Sequence, residues 1–230
     1  MHSLDDLKHG YYINLEHRKD RRTQVEEELA RIGLQDRVSR FNAVEMKNGR
    51  IGCTLSHLRC LEQAREQKLP HVLICEDDIH FLSPGVFTEN LNKFLMLNLH
   101  WDVILLAGNN MPPYTRVNEC CVKVTQCQTT TGYIVGRHYY DTLIENIRAG
   151  LKMMISNPDQ HFHYAIDKYW FVLQRVDRWF LITPLSVVQR EGYSDIEKKS
   201  TNFSRAMIDL DKEEFLRRMQ ERISRASLSS

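Results

Sequence analysis

The run His71-Val-Leu-Ile-Cys-Glu-Asp-Asp78 stops an apolar stretch abruptly on three adjacent carboxylates. Like charges this close resist joint ionisation unless a cation or strong donors offset them, and hard oxygen ligands suit Mg2+ or Mn2+. Val72 to Cys75 has the length and the branched, continuously apolar character of a strand buried on both faces, the kind found in parallel sheets covered by helices. In open α/β sheets ligands bind beyond the carboxyl ends of the strands, which is where Glu76, Asp77 and Asp78 fall. A divalent metal holding a phosphorylated ligand is the chemistry this motif serves best. The plainer alternative is a solvated strand-to-loop junction with an acidic turn.

Other reactive side chains flank it in sequence. Asn14 closes a predicted first strand, and Arg18 and Arg21 are three apart, so one helical face can present both to a base or a diphosphate. They can equally pair with Asp20 or Glu26. Ser56 and His57 are predicted to begin a second helix, where a serine caps and a lone histidine is often structural. Cys120, Cys121 and Cys127 lack the C-x-x-C pair and the spaced histidines of a zinc site. Six cysteines scattered through predicted core elements read as reduced thiols in a cytoplasmic setting.

The elements that must hold these residues alternate. Tyr11 to Leu15 reads as a strand, Val25, Leu29 and Ile32 as one helical face ended by Gly33, and Val38 to Val44 as a second strand. Gly49 and Gly52 bracket a predicted turn, after which Leu55, Leu58, Leu61 and Ala64 support a helix toward Pro70. Beyond the acidic motif, Pro84-Gly85 opens a helix to about Leu97, and Asp102 to Ala107 is another buried strand. Such β-α alternation favours a mostly parallel sheet between helices. Asn109 to Pro113 reads as loop, Cys121 to Gln126 and Thr129 to Val135 as strands, His138 to Ile147 as helix, Ser156 to His161 as loop and Ala165 to Leu173 as helix. Trp179 to Ile182 and Ser186 to Gln189 give short strands around Pro184, and Asp209 to Arg225 an amphipathic tail helix with Phe215, Met219 and Ile223 on one side. That helix could pack on the body, on a second copy as a homo-oligomer, or, as a basic amphipathic segment, at a membrane surface.

Bulk composition narrows the class. With 230 residues and a net charge of +1, the chain can bury one good core and gives no electrostatic motive for binding nucleic acid. The opening Met-His-Ser-Leu-Asp-Asp-Leu-Lys lacks the basic-then-apolar pattern of a secretory signal, and no apolar run approaches the ~20 residues that span a bilayer.

Four motifs line up in order: Ile13-Asn-Leu15 with Arg18 and Arg21, Gly52-Cys-Thr-Leu-Ser-His57, Glu76-Asp-Asp78, and Thr131-Gly-Tyr133. From about Tyr11 to Ile196 the chain resembles glycosyltransferase family 25, which includes lipopolysaccharide-synthesis sugar transferases and procollagen galactosyltransferases. The resemblance implies a GT-A-like domain, taken over residues 1–208, and the amphipathic pattern sets 209–230 apart as the helical tail. It also implies Mn2+ (or Mg2+), a UDP-sugar donor, transfer of galactose or glucose with inversion, and a glycan or protein hydroxyl as acceptor.

The same resemblance implies roles. In a D-x-D-type reading Asp78 binds the metal and Glu76 binds metal or ribose, while Asp77 anchors the loop. Asn14, Leu15, Arg18, Arg21, Ser56 and His57 fall to the donor. Thr130, Thr131 and Gly132 offer hydroxyls and bare backbone to a sugar, and Gln189 and Ser194 match the family's closing pattern. Asp167, in the first turn of a predicted helix, stands where the family carries an acid and is the expected base; a first-turn acid also suits the helix dipole. His161 or His163 could supply a further metal ligand. A non-catalytic nucleotide-sugar or glycan-binding module of the same fold is the alternative. A phosphoryl-transfer enzyme would call for a G-x-x-x-x-G-K loop, which is absent.

Overall fold

The computed structural model describes residues 1–196, 198–213, 215–219 and 221. Its first strand, β1 (Gly10–Asn14), is buried throughout and leads into α1 (Lys19–Arg31), which turns Val25 and Leu29 to the core. The chain leaves α1 through Gly33 at φ 72°, a left-handed conformation that glycine adopts at little cost. Then come β2 (Val38–Asn42), α2 (Gly49–Glu66), β3 (His71–Glu76), the three-residue β4 (Ile79–Phe81) and α3 (Pro84–Met96). Short strands follow: β5 (Val103–Leu105), β6 (Asn109–Asn110), β7 (Thr115–Asn118), β8 (Cys121–Lys123), β9 (Cys127–Gln128) and β10 (Gly132–Gly136). The long α4 (Tyr140–Ser156) and the four-residue α5 (Ile166–Tyr169) and α6 (Phe171–Gln174) precede β11 (Trp179–Ile182) and β12 (Val187–Gln189). β13 (Gly192–Ser194), β14 (Lys199–Thr201) and α7 (Ser204–Ile208) come next.

Eight strands make one sheet in the order β2-β1-β3-β10-β5-β11-β8-β7, with β10 and β8 running against the other six. This is the expected α/β architecture: a mostly parallel sheet flanked by helices, with smaller β elements beside it. Successive side chains along a strand point to opposite faces. Tyr12, Leu73, Cys75, Ile104 and Ile134 therefore join the core beneath α1 and α3, while Tyr11, Ile74, Val103, Leu105 and Tyr133 join the core beneath α2 and α4. With both faces covered, β3 can be apolar at every internal position.

The site is positioned by β10. Because it enters antiparallel between β3 and β5, its first residue, Gly132, lies opposite Cys75, and the Glu76 amide donates to the Thr131 carbonyl at 3.0 Å. The start of β10 and the acidic end of β3 thus share one edge of the sheet.

Several expectations are corrected. Asn48 caps α2, its side-chain oxygen accepting from the Arg50 amide at 3.1 Å, so Gly49 and Gly52 lie within the helix instead of bracketing a turn. Ser56 and His57 sit well inside it, not at its start. Gly52 is small for a packing reason: a Cβ there would stand 2.4 Å from the Val44 carbonyl oxygen. The strands expected over Cys121 to Gln126 and Thr129 to Val135 form, shorter, as β8 and β10, and ladder with different partners. Asn109-Asn110, expected as loop, pairs with β9. The helix expected over Ala165 to Leu173 is split into α5 and α6, and Pro158–Tyr164 winds into a 3-10 helix where a loop was expected. In the tail, residues 213, 215–219 and 221 are helical; Phe215 and Met219 are about half exposed, and Phe215 lines a cavity with Asn109 and Met111. Ile223, Arg222 and Arg225 lie outside the described residues. Among the described residues no helix is long and apolar enough to cross a membrane.

Candidate functional site

β3 delivers Glu76, and the turn into β4 delivers Asp77 and Asp78, into the wall of a cavity of about 300 Å3. Leu15, Arg21, Ser56, Gln189 and Ser194 line the same cavity. The three carboxylates are treated very differently.

Glu76 has company on one oxygen. Its Oε1 accepts from Thr130 Oγ1 at 2.6 Å and from the Cys53 thiol at 3.5 Å, and lies 3.2 Å from His57 Nε2. A carboxylate only accepts, so the Nε2 of His57 carries the proton. Burial pushes the Glu76 carboxyl up, but His57, Thr130 and Cys53 together hold it below its ordinary value. Asp77 points the other way: Oδ2 accepts from Asn14 Nδ2 at 2.7 Å and Oδ1 from Arg21 Nη1 at 2.9 Å. Burial still raises it, against Arg21 and Asn14. Its contacts are those of an anchor for the turn.

Asp78 is the outlier. It is 4% exposed; Oδ2 accepts from Gln189 Nε2 at 2.8 Å and Arg21 Nη1 at 3.3 Å, while Oδ1 is buried without a partner. Burial and the nearby Glu76 charge push its pKa up to about 7. An orphaned buried oxygen beside a second carboxylate fits a hard divalent cation, which would supply the missing partner.

The other predicted residues take their places around this group. Asn14 is buried; besides bonding Asp77 it donates to the Arg18 carbonyl at 3.0 Å and accepts from Arg40 Nε at 3.0 Å. Arg18 pairs with Asp20, the plainer of its two expected fates, and also with Asp195, which lines the cavity. Arg21 Nη2 donates to the Tyr193 carbonyl at 2.9 Å. These two arginines fasten the β13 region to α1. Ser56 is not a cap: it donates to the Gly52 carbonyl and accepts from the Val44 amide, each at 2.8 Å, shaping the cavity floor.

Some residues are not where their expected roles require. His57 is completely buried, its Nδ1 2.9 Å from the Tyr133 hydroxyl, so it reaches the cavity only through Glu76. Thr131 is fully buried and lines neither this cavity nor the next. A Cβ on Gly132 would meet Ile79 Cδ1 at 2.8 Å, so this glycine serves close packing, not the approach of a sugar. His161 contacts Asn48 at 3.1 Å, and His163 packs edge-on against Phe162; neither lines these cavities with Asp78.

A second cavity, of about 280 Å3, adjoins the first and shares Cys53, Glu76, Gln189, Ser194 and Ile196 with it. Asp167 stands in its wall, accepting from the Thr129 amide at 3.3 Å, and burial raises its pKa above the ordinary carboxylate value. Of the expected Thr130, Thr131 and Gly132, Thr130 lines this cavity, beside Thr129. Cys53, not among the expected site residues, lines both cavities. Its signal was present, since it lies four residues before His57 and so on the same helical face.

Residues 39–154, half of the chain, match the family model described as "Glycosyltransferase family 25 (LPS biosynthesis protein)". The chain belongs to glycosyltransferase family 25. The matched region holds three of the four motifs, Gly52 to His57, Glu76 to Asp78 and Thr131 to Tyr133. Asn14 to Arg21, Asp167, Gln189 and Ser194 fall outside it and stand on geometry. A Drosophila pseudoobscura pseudoobscura "Glycosyltransferase 25 family member" is 35% identical over 103 residues, covering 33% of this chain and 16% of that protein. The human "Inactive glycosyltransferase 25 family member 3" is 25% identical over 132 residues, covering 56% of this chain and 21% of that protein. The family 25 chain therefore spans about a fifth or less of the length of these relatives. Among solved structures, a mannose-1-phosphate geranyltransferase from Thermus thermophilus is similar at TM-score 0.45 and 9% identity, covering 76% of this chain and 73% of that one. A Drosophila beta-1,4-galactosyltransferase 7 mutant, in complex with manganese, UDP-Gal and xylobiose, is similar at TM-score 0.34 and 11% identity, covering 58% and 50%.

Proposed function

We propose that the protein is a metal-dependent, inverting glycosyltransferase that moves a hexose, galactose or glucose, from a UDP-sugar to a hydroxyl of a glycan or protein-linked acceptor. The observation that carries this reading is the unpartnered, buried Oδ1 of Asp78, a residue lining a cavity that shares Cys53, Glu76 and Gln189 with the one that holds Asp167. A Mn2+ or Mg2+ ion held by Asp78, with Glu76 beside it, would neutralise the diphosphate as it leaves.

The chain's own residues do the rest. Asp77 and Asn14 hold the turn so that Asp78 stays aimed into the cavity, and Gln189 fixes its other oxygen. Arg21 already lies against Asp77 and Asp78, where it adds positive charge beside the diphosphate. Asp167 takes the proton from the acceptor hydroxyl as that oxygen bonds to the anomeric carbon and the bond from that carbon to the diphosphate oxygen breaks. The burial that raises its pKa makes it a better proton acceptor than a solvated carboxylate. Attack from the second cavity on a donor bound in the first is a single displacement, which inverts the anomeric centre. A cytoplasmic setting fits the six free cysteines.

The test is release of UDP from a panel of UDP-sugars with and without Mn2+. Asp78→Asn should abolish metal-dependent release, and Asp167→Asn should lower transfer by about 100-fold or more while leaving UDP binding intact. A related human protein bears the word "inactive" in its name, which keeps the non-catalytic module as the second reading. That reading predicts UDP-sugar binding without any UDP release, and transfer retained in Asp167→Asn would discard the assigned base.

A further inference from the structure

Cys53 and His57 stand four residues apart on α2, so one helical face turns both toward the end of β3. Helical zinc motifs use this spacing to bring two ligands to one ion. Here the two side chains meet on a single oxygen of Glu76, with Cys53 Sγ 3.5 Å and His57 Nε2 3.2 Å from Oε1. All three atoms lie within 4.8 Å of one another. A tetrahedral zinc ion, with bonds of about 2.3 Å to sulfur and about 2.0 Å to nitrogen and oxygen, sets sulfur and oxygen about 3.5 Å apart and nitrogen and oxygen about 3.3 Å apart. The spacings in the protein match those edges.

The surroundings of the trio fit as well. A ligating histidine donates its other ring N–H, and a ligating carboxylate is itself hydrogen-bonded. His57 Nδ1 lies 2.9 Å from the Tyr133 hydroxyl, and Thr130 Oγ1 donates to Glu76 Oε1 at 2.6 Å. Zinc would replace the two hydrogens that now face Glu76. The thiol proton leaves to solvent, and the imidazole proton moves from Nε2 to Nδ1, where the Tyr133 hydroxyl accepts it. Cys53 and Glu76 line both the first and the second cavity, which gives an ion a way in to the buried histidine. Thiolate and imidazole select a softer cation than do the oxygens of Asp78, which lines the first cavity and not the second.

We propose that Cys53, His57 and Glu76 bind a zinc-type divalent cation, at a site separate from the hard-metal position at Asp78. Bound there, the ion ties Glu76 to α2 and fixes a positive charge on the wall that the two cavities share. The site does not depend on sugar transfer.

The experiment adds Co2+, a spectroscopic stand-in for Zn2+, to the full chain freed of metal, without oxygen or nucleotide. A thiolate-to-cobalt charge-transfer band should appear together with the strong visible bands of a tetrahedral ion. Zn2+ should abolish both, and equal Mn2+ or Mg2+ should not. The described residues include all six cysteines, and among them Cys53 is the one that is not buried, so the band has one expected source. Cys53→Ser should remove it and weaken Zn2+ binding, read by competition with a chromophoric chelator, by about 100-fold or more. Asp78→Asn should leave the band in place, and melting temperatures control for folding. If Cys53→Ser does not fold, alkylation of Cys53 in the unaltered chain, read by mass spectrometry, decides: Zn2+ should block it where Mn2+ does not. A band that never forms, persists in Cys53→Ser or vanishes in Asp78→Asn would overturn the proposal, as would alkylation indifferent to Zn2+. Because no UDP is present, a failure here and a failure of UDP release are separate results.

Discussion

A carboxylate that is 4% exposed, with one oxygen bonded by Gln189 and Arg21 and the other by nothing, works against the metal-free fold. Leaving a buried acceptor unsatisfied costs about 1–3 kcal/mol. Asp78→Asn keeps the shape, lets its amide oxygen continue to accept from Gln189, and removes the buried charge. We expect the variant to melt higher than the unaltered chain in chelator, by about 1 kcal/mol of stability, and to lose the rise in melting temperature that Mn2+ gives the parent. A lower melting temperature in chelator would contradict the idea that this residue trades stability for ligand binding. His57 shows the complementary case. Its type and motif position pointed to the donor, but the ring is enclosed between Tyr133 and Glu76, a contact made by residues far apart in sequence that no local spacing encodes.

At the scale of elements, β4 and β12 form a two-stranded ribbon that backs the acidic turn. Glu28 on α1 holds it in place. Its carboxylate, buried to 4% side-chain exposure, lies 2.7 Å from His80 Nδ1, accepts from the Phe81 amide at 3.0 Å and pairs with Arg190 at 2.7 Å. The Arg190 amide in turn donates to the Asp78 carbonyl at 2.7 Å. Because His80 and Arg190 are partly exposed, their share is discounted for solvent, and Glu28→Gln should cost about 1–3 kcal/mol. It should also raise the Mn2+ concentration that half-saturates UDP release more than it lowers the rate at saturating metal. Equal metal requirements in the two proteins would show that the ribbon does not position the turn. The sequence disclosed β3 and α3 readily, through an apolar run ended by charge and a proline at a helix start. Ser186 to Gln189 reads as the strand that forms as β12, but the three-residue β4 carries no usable period, so the ribbon and its link to Glu28 were out of reach. The same holds for Thr131 and Gly132, whose small size reads alike for a sugar contact and for tight packing against Ile79.

Across the whole molecule, the end of the sheet opposite the site is closed by an ionic clamp. Asp102, just before β5, accepts from Arg178 Nε at 3.0 Å, Arg178 Nη2 at 2.8 Å and the Arg178 amide at 2.9 Å, and lies 2.8 Å from His138 Nε2. It thereby ties together the ends of β5, β10 and β11. Burial pushes the Asp102 carboxyl up, but Arg178 and His138 outweigh it and the net shift is below the ordinary 3.8. A carboxyl with a depressed folded-state pKa contributes stability that is complete above its unfolded value and lost as pH falls through the folded one. Asp102→Asn should therefore be less stable at pH 7, with the gap to the parent closing only below the ordinary pKa of 3.8, as read by urea unfolding at several pH values. A gap that closed near neutrality would assign the effect elsewhere.

The antiparallel seat of β10 also governs how the chain can assemble. The β2-β1-β3 group and the β5-β11 group share no ladder of their own; among the described residues they are joined through β10 and the residues that flank it, Thr131 and Arg137. During synthesis the acidic end of β3 must wait more than fifty residues for its neighbour, presenting a raw strand edge meanwhile. A chaperone that shields that edge would act on this protein chiefly before the second half has left the ribosome, and fragments ending near residue 125 should clump where the full chain does not.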